Sequence, residues 1–209
     1  MLEYARAIPV LPTPKGENAV IITGAGGSGV LLSDACVDNG LKLLKPMPAD
    51  LDAAFRKFIP PFGAAGNPVD ITGGEPPITY QNTVRLGLED ERIHSLILGY
   101  WHTIVTPPMV FAKLVVEVVD EMKAKGIHKP IVVSLAGDVQ VEEAAEHLFD
   151  HGIPAYPYST EMPVMVLGVA TSSPPQAATA NARAAAPATH LEPRRPGGTD
   201  RGLMVPHDI

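Results

Sequence analysis

A short apolar run, Val20-Ile21-Ile22-Thr23, leads directly into Gly24-Ala25-Gly26-Gly27-Ser28-Gly29, and a helical pattern follows as far as Asn39. A strand that turns through glycines into a helix gathers several backbone N–H groups and the positive end of the helix dipole at one point. The chemistry of such a point is the holding of an anion, a phosphate or a carboxylate. Gly24, Ala25, Gly26, Gly27 and Ser28 are therefore the first candidate anion ligands.

A nicotinamide dinucleotide is one anion that fits, because the turn satisfies the G-x-G-x-x-G spacing. That cofactor also needs a carboxylate for its ribose, roughly 20 residues on, at the end of the second strand. The chain has Lys42-Leu43-Leu44-Lys45-Pro46 there, and Asp50 and Asp52 lie past two prolines. An NAD(P)-binding protein stays as an alternative without that support. No G-x-x-x-x-G-K-[ST] element is present, which disfavours a P-loop nucleotidase. The bland reading of the same glycines is close packing of a helix on a strand.

Other residues carry weaker chemistry. His102 follows Trp101 in an expected loop and is a possible nucleophile or acid–base group. No orienting partner is visible near it in sequence, so a backbone-bonded loop histidine is the simpler expectation. Asn67 and Asp70 are short polar side chains of the kind that fix loops through side-chain-to-backbone bonds. Asp34 and Asp38 share one helix face, as like charges do on a solvated surface. Glu142, Glu143 and Glu146 read as the wet face of another helix. His94, His128, His147 and His151 show no common ligand spacing, so no metal is expected. Cys36 is the only cysteine. It excludes an intrachain disulfide and reads as a small buried residue.

The elements that must position these groups alternate regularly. Strands are expected at 18–23, 41–44, 94–100, 131–135 and 153–156. Helices are expected at 29–39, 49–58, 79–88, 107–125, 139–151 and from 162. Residues 60–74 form a Pro- and Gly-rich loop. This alternation implies a three-layer αβα sandwich around a parallel sheet, flavodoxin-like or Rossmann-like. Ligands of such sheets bind at the carboxyl ends of the strands, at the switch point. Loops 24–28, 101–106 and 136–138 fall at that edge, and 67–74 is within reach of it. Residues 1–17 read as a lead-in or linker and 18–168 as the domain. From Val169 to Ile209 the composition turns to Ala, Pro, Ser and Thr, with four arginines against three acids. That stretch reads as a low-complexity, disordered tail.

Bulk charge narrows the partners. The 209 residues carry 16 basic and 23 acidic groups, a net charge of −7. That argues against nucleic acid and against an anionic membrane surface. The apolar runs are too short to span a bilayer, and the N-terminus lacks a signal-peptide plan, so a cytoplasmic protein is expected.

Two spaced motifs carry a family resemblance. Thr23-Gly24-Ala25-Gly26-Gly27-Ser28-Gly29-Val30-Leu31-Leu32-Ser33-Asp34 resembles the "T-x-A-G-G-x-G-V-x-x-x-D" segment of the acyl-CoA synthetases that form a nucleoside diphosphate. Asn67-Pro68-Val69-Asp70-Ile71-Thr72-Gly73-Gly74 resembles their "N-P-V-D" loop. These are the ADP-forming acetate–CoA ligases of the succinyl-CoA synthetase superfamily. The likeness runs over residues 10–168 and is similar to the flavodoxin-like carboxy-terminal domain of the succinyl-CoA synthetase β chain.

The resemblance implies a reaction of carboxylate, CoA and ATP giving acyl-CoA, ADP and phosphate. It also implies partner modules: a CoA-binding domain, a domain with a phosphohistidine, and an ATP-grasp module. ATP, Mg and CoA are implied for the complete enzyme and none for this domain alone. Thr103 and Thr106, before the helix at 107, stand where the family has a Gly-Gly phosphate turn; the double glycine is absent here, but the helix dipole and the two hydroxyls make Thr103 and Thr106 anion-ligand candidates. By the same likeness Asn67, Asp70, Gly73 and Gly74 form a supporting loop. No Ser-His-Thr-Gly histidine loop occurs, so the chain resembles one module, or a fragment, that is inactive alone. A stand-alone phosphate-ligand or protein-binding module is the alternative of a different class.

Overall fold

A computed structural model describes residues 2–172. Its parallel strands are β1 (Asn18–Thr23), β2 (Lys42–Leu43), β3 (Val69–Asp70), β4 (Ser95–Trp101), β5 (Ile131–Ala136) and β6 (Ala155–Pro157). Helices α1 (Leu2–Ala7), α2 (Gly26–Asp38), α3 (Ala49–Phe55), α4 (Pro77–Glu89), α5 (Pro108–Ala124), α6 (Gln140–Asp150) and α7 (Glu161–Ser172) complete it.

The strand order is β2-β1-β4-β5-β6, with β3 also on β1. The chain reverses its direction of travel across the sheet between β1 and β4, which makes their carboxyl ends the switch point. Period-two alternation divides the core into the expected three layers. Val20, Ile22, Leu96, Leu98 and Val133 pack beneath α3, α4, α5 and α6. Ala19, Ile21, Ile97 and Val132 face the opposite way, toward Leu32, Cys36, Val164 and Leu167 of α2 and α7. β1, β4 and β5 are buried on both faces, which is why they read as continuous apolar runs.

The edge of β1 is split. β2 pairs with its first half (Asn18↔Lys42, Ala19↔Leu43) and β3 with its second (Ile22↔Val69, Thr23↔Asp70). Between them the buried side chain of Asn67 takes the place of a strand. Its Oδ1 accepts the Ile21 N–H at 3.0 Å, and its Nδ2 donates to the Ala19 carbonyl at 2.8 Å and to the Leu44 carbonyl at 3.4 Å. Asn67 therefore fixes its loop through backbone bonds, as its residue type led us to expect.

Several boundaries move. The helix expected from Gly29 starts at Gly26, so Gly26, Gly27 and Ser28 are its first turn and the true turn is only Gly24 and Ala25. α3 stops at Phe55, three residues early, and the loop at 60–74 hides the two-residue β3. The lead-in holds α1, whose Ala7 is buried against Tyr156 and Val166. α7 carries the helix through Val169 to Ser172. The rest of the expected tail lies outside the described residues.

Candidate functional site

Four loops meet at the switch-point edge. At the first, Thr23 pins the turn: its Oγ1 accepts the Ala25 N–H at 3.0 Å and donates to the Ala25 carbonyl at 2.9 Å. The Gly24 N–H crosses to the Gly99 carbonyl of β4 at 3.1 Å. Ala25 is the extended N-cap of α2, and the first intrahelical bond runs from the Gly29 N–H to the Ala25 carbonyl at 3.0 Å. The N–H groups of Gly26, Gly27 and Ser28 precede it and point outward along the axis. Gly29 is buried, and a Cβ there would stand 2.9 Å from Thr23 Cγ2 and 3.3 Å from Pro68. Close packing and a free helix terminus are thus both built into this run.

The second loop begins at Asp70. Its Oδ1 accepts the Thr72 N–H at 2.9 Å, and Oδ2 lies 2.7 Å from where a Cβ on Gly26 would be. Thr72 has φ 66°, a left-handed conformation that a β-branched residue adopts only under constraint. Gly73 lies over the turn, the position of its missing Cβ 3.2 Å from the Gly24 carbonyl. Gly74 follows with open space beside it.

In the third loop both threonine hydroxyls have partners within the chain. Thr106 is buried, and its Oγ1 donates to the Glu75 carbonyl at 3.0 Å. Thr103 Oγ1 accepts the Thr106 N–H at 3.2 Å. Tyr100 closes the same loop, donating to the Thr106 carbonyl at 2.7 Å. Thr103 and Thr106 brace the loop before α5. Pro107 and Pro108 also remove two of the N–H groups that a bare helix terminus would offer.

His102 does have an orienting partner, which corrects the expectation of a lone histidine. Its Nδ1 lies 3.1 Å from Asp138 Oδ1, and its N–H donates to the Ala136 carbonyl at 2.8 Å. Asp138 is fixed in turn by the Gln140 N–H at 3.0 Å. A carboxylate only accepts, so Nδ1 carries a proton toward Asp138, and Nε2 is the nitrogen that a neutral imidazole leaves to accept. Gly137 makes the approach possible: a Cβ there would stand 2.6 Å from His102 Cβ. Tyr158, a second left-handed residue (φ 61°), donates to the Asp138 carbonyl at 3.2 Å. Among the described residues, the two non-glycine positions with left-handed backbone, Thr72 and Tyr158, therefore both sit at this edge.

No lysine or arginine occurs in residues 24–28, 70–75, 101–106 or 136–138. Asp70, Glu75 and Asp138 do occur there, so the donors these loops offer an anion are backbone N–H groups, hydroxyls and His102 rather than lysine or arginine. Trp101, Ile104 and Val105 stand exposed around the loops, Ile104 at 97%. Among the described residues no cluster of three His, Cys, Asp or Glu side chains could hold a metal ion. No helix among them is long and apolar enough to cross a membrane.

The sheet edge, the glycine turn and the Asn67 loop together match a known pattern. Residues 19–180 fit the Ligase-CoA domain. The chain belongs to this family. The alpha subunit of ADP-forming acetate–CoA ligase I from Pyrococcus furiosus is 38% identical over 155 residues, covering 74% of this Ligase-CoA chain and 32% of the relative. The ADP-forming acetate–CoA ligase of Methanocaldococcus jannaschii is 34% identical over 145 residues, 69% of this chain and 20% of that protein. Among solved structures, the apo form of dinucleotide forming acetyl-coenzyme A synthetase 1 from Ca. Korarchaeum cryptofilum superposes with a TM-score of 0.73. It is 33% identical and covers 88% of this chain and 39% of that one. The Ligase-CoA chain thus spans about a third or less of the length of these curated relatives.

Proposed function

We propose that this chain is one module of an ADP-forming acyl-CoA synthetase, acting in the cytoplasm. The observation that carries the reading is the first turn of α2, whose Gly26, Gly27 and Ser28 N–H groups open onto the switch-point edge. Gly24 and Ala25 set its angle, Asn67, Asp70, Gly73 and Gly74 support it from one side, and Thr103 and Thr106 brace the other. Its work is electrostatic preorganisation: fixed dipoles meet charge on a transferring phosphoryl group at no cost of reorganisation. His102, oriented by Asp138, stands on the same edge.

The remaining chemistry belongs to partners. CoA-binding, phosphohistidine and ATP-grasp modules supply CoA, the reactive histidine, and ATP with Mg. Trp101, Ile104 and Val105 give them an apolar rim on which to dock. The full reaction takes a carboxylate, CoA and ATP to acyl-CoA, ADP and phosphate. The purified chain, given acetate, CoA, ATP and Mg, is expected to form no acyl-CoA in a thiol-release or mass assay. Turnover by the chain alone would contradict this division of labour.

A further inference from the structure

Three neighbouring strands begin at the sheet edge opposite the glycine turn, and each is preceded by a basic side chain. Lys15 comes before β1, His94 before β4 and Lys129 before β5. All three line one cavity of about 360 Å³, together with Glu89, Glu91 and His128. A smaller cavity of about 90 Å³ adjoins it and shares Leu88, Ile127, His128 and Lys129. The rest of its wall is largely apolar, with Val10, Val119, Met122, Ile131 and Ile153. The other lysine there, Lys123, is paired with Asp120 at 3.2 Å.

Lys129 is the group this arrangement leaves unsatisfied. Its ammonium is half-buried and has three donors, of which one goes to the Asp90 carbonyl at 2.6 Å. It makes no ion pair among the described residues, and two of the acids around it are taken. Asp90 holds Arg92 at 2.6 Å and Glu89 holds Lys125 at 3.1 Å. Burial brings the Lys129 pKa down to about 8, with Lys15 pushing the same way against Asp90 and Glu91. Withdrawing a charge from water without a counter-ion is costly. His94 adds a neutral donor: its Nδ1 accepts the Asn18 N–H at 3.0 Å, so the ring proton is on Nε2.

The lining sets the charge and the shape of a ligand. Lys15 and Lys129 stand against Glu91, since Glu89 is already paired, and one positive charge is left over. A monoanion balances it, whereas a dianion meets Glu91. The adjoining apolar cavity takes hydrocarbon. We propose that Lys129, Lys15 and His94 hold the head of a short-chain monocarboxylate, whose aliphatic tail lies between Val10, Val119, Met122 and Ile131. The site is across the sheet from the glycine turn, and it binds the acid without reacting it.

The test adds butyrate, acetate, 1-butanol and inorganic phosphate separately to the full chain, following the Lys129 and Ile131 amide and Ile127 methyl signals by NMR. Butyrate is expected to move all of them saturably. Acetate should bind at least about tenfold more weakly, since each methylene removed from water is worth about fourfold. 1-Butanol, with the chain but no charge, should be at least about tenfold weaker, the scale of a hydrogen bond to a charged group. Phosphate, with charge but no chain, should be weaker than butyrate. Lys129→Gln keeps a donor for the Asp90 carbonyl and removes the charge, and should weaken butyrate about tenfold. Acetate, 1-butanol or phosphate equal to butyrate on the unaltered chain, which needs no variant to fold, would overturn the proposal. So would signals that butyrate does not move, or an unchanged butyrate affinity in folded Lys129→Gln.

Discussion

Asn67→Ala is expected to destabilise the chain by about 2 kcal/mol, from a buried backbone N–H losing its partner at roughly 1–3 kcal/mol. The group is the Ile21 N–H, on a strand with no exposed residue; the Ala19 carbonyl, which Asn67 also holds, keeps the Leu44 N–H at 2.9 Å. Ile21 lies between the last residue paired to β2 and the first paired to β3, so no other strand is in register to take its N–H. At this chain length the change corresponds to a fall in Tm of roughly 4–8 °C. Denaturant unfolding of the full chain measures it. A loss below about 1 kcal/mol, the net worth of one ordinary hydrogen bond, would mean that water or a shifted β3 replaces the side chain.

Gly24→Ala should be nearly as damaging, for a different reason. Gly24 does not have a positive φ, so alanine is conformationally acceptable there. The obstacle is Tyr80, whose hydroxyl occupies the methyl position and whose Cζ lies 3.0 Å from it. Tyr80 cannot retreat, because Phe111 is against it and Tyr100 stacks on Phe111 at 4.4 Å. Overpacking of this kind costs about 1–3 kcal/mol. Adding Tyr80→Phe to Gly24→Ala removes the colliding oxygen and should recover part of the loss. A double-mutant cycle with no coupling between the two positions would show that the collision is relieved elsewhere.

What could be read from the sequence follows from burial and distance. β1, β4 and β5 were legible because burial on both faces demands apolar residues at every position. β3 was not, since two residues in a loop of Pro and Gly carry no period. The start of α2 was misplaced because Gly26 and Gly27 are poor helix formers. Their helical geometry comes from the bracket that Thr23 puts on Ala25 and from Gly29 seating the helix on Thr23.

The anion turn itself was legible from its glycines. Its side-chain partners were not. Tyr80 comes to Gly24, and Asp138 to His102, only through parallel crossovers, which place distant residues side by side. For Thr103 and Thr106 the sequence shows a hydroxyl without showing its partner inside the chain. The structure supplies those partners in Glu75 and in the loop's own backbone.

The central claim is that this chain does the work of one module in an ADP-forming acyl-CoA synthetase. The direct measurement grafts residues 18–172 into the alpha subunit of the Pyrococcus furiosus acetate–CoA ligase, in place of the stretch they match, and assays acetyl-CoA formed from acetate, CoA and ATP with the complete enzyme. We expect a folded hybrid that forms acetyl-CoA and releases ADP. A hybrid that folds and assembles but makes no acetyl-CoA would contradict the account.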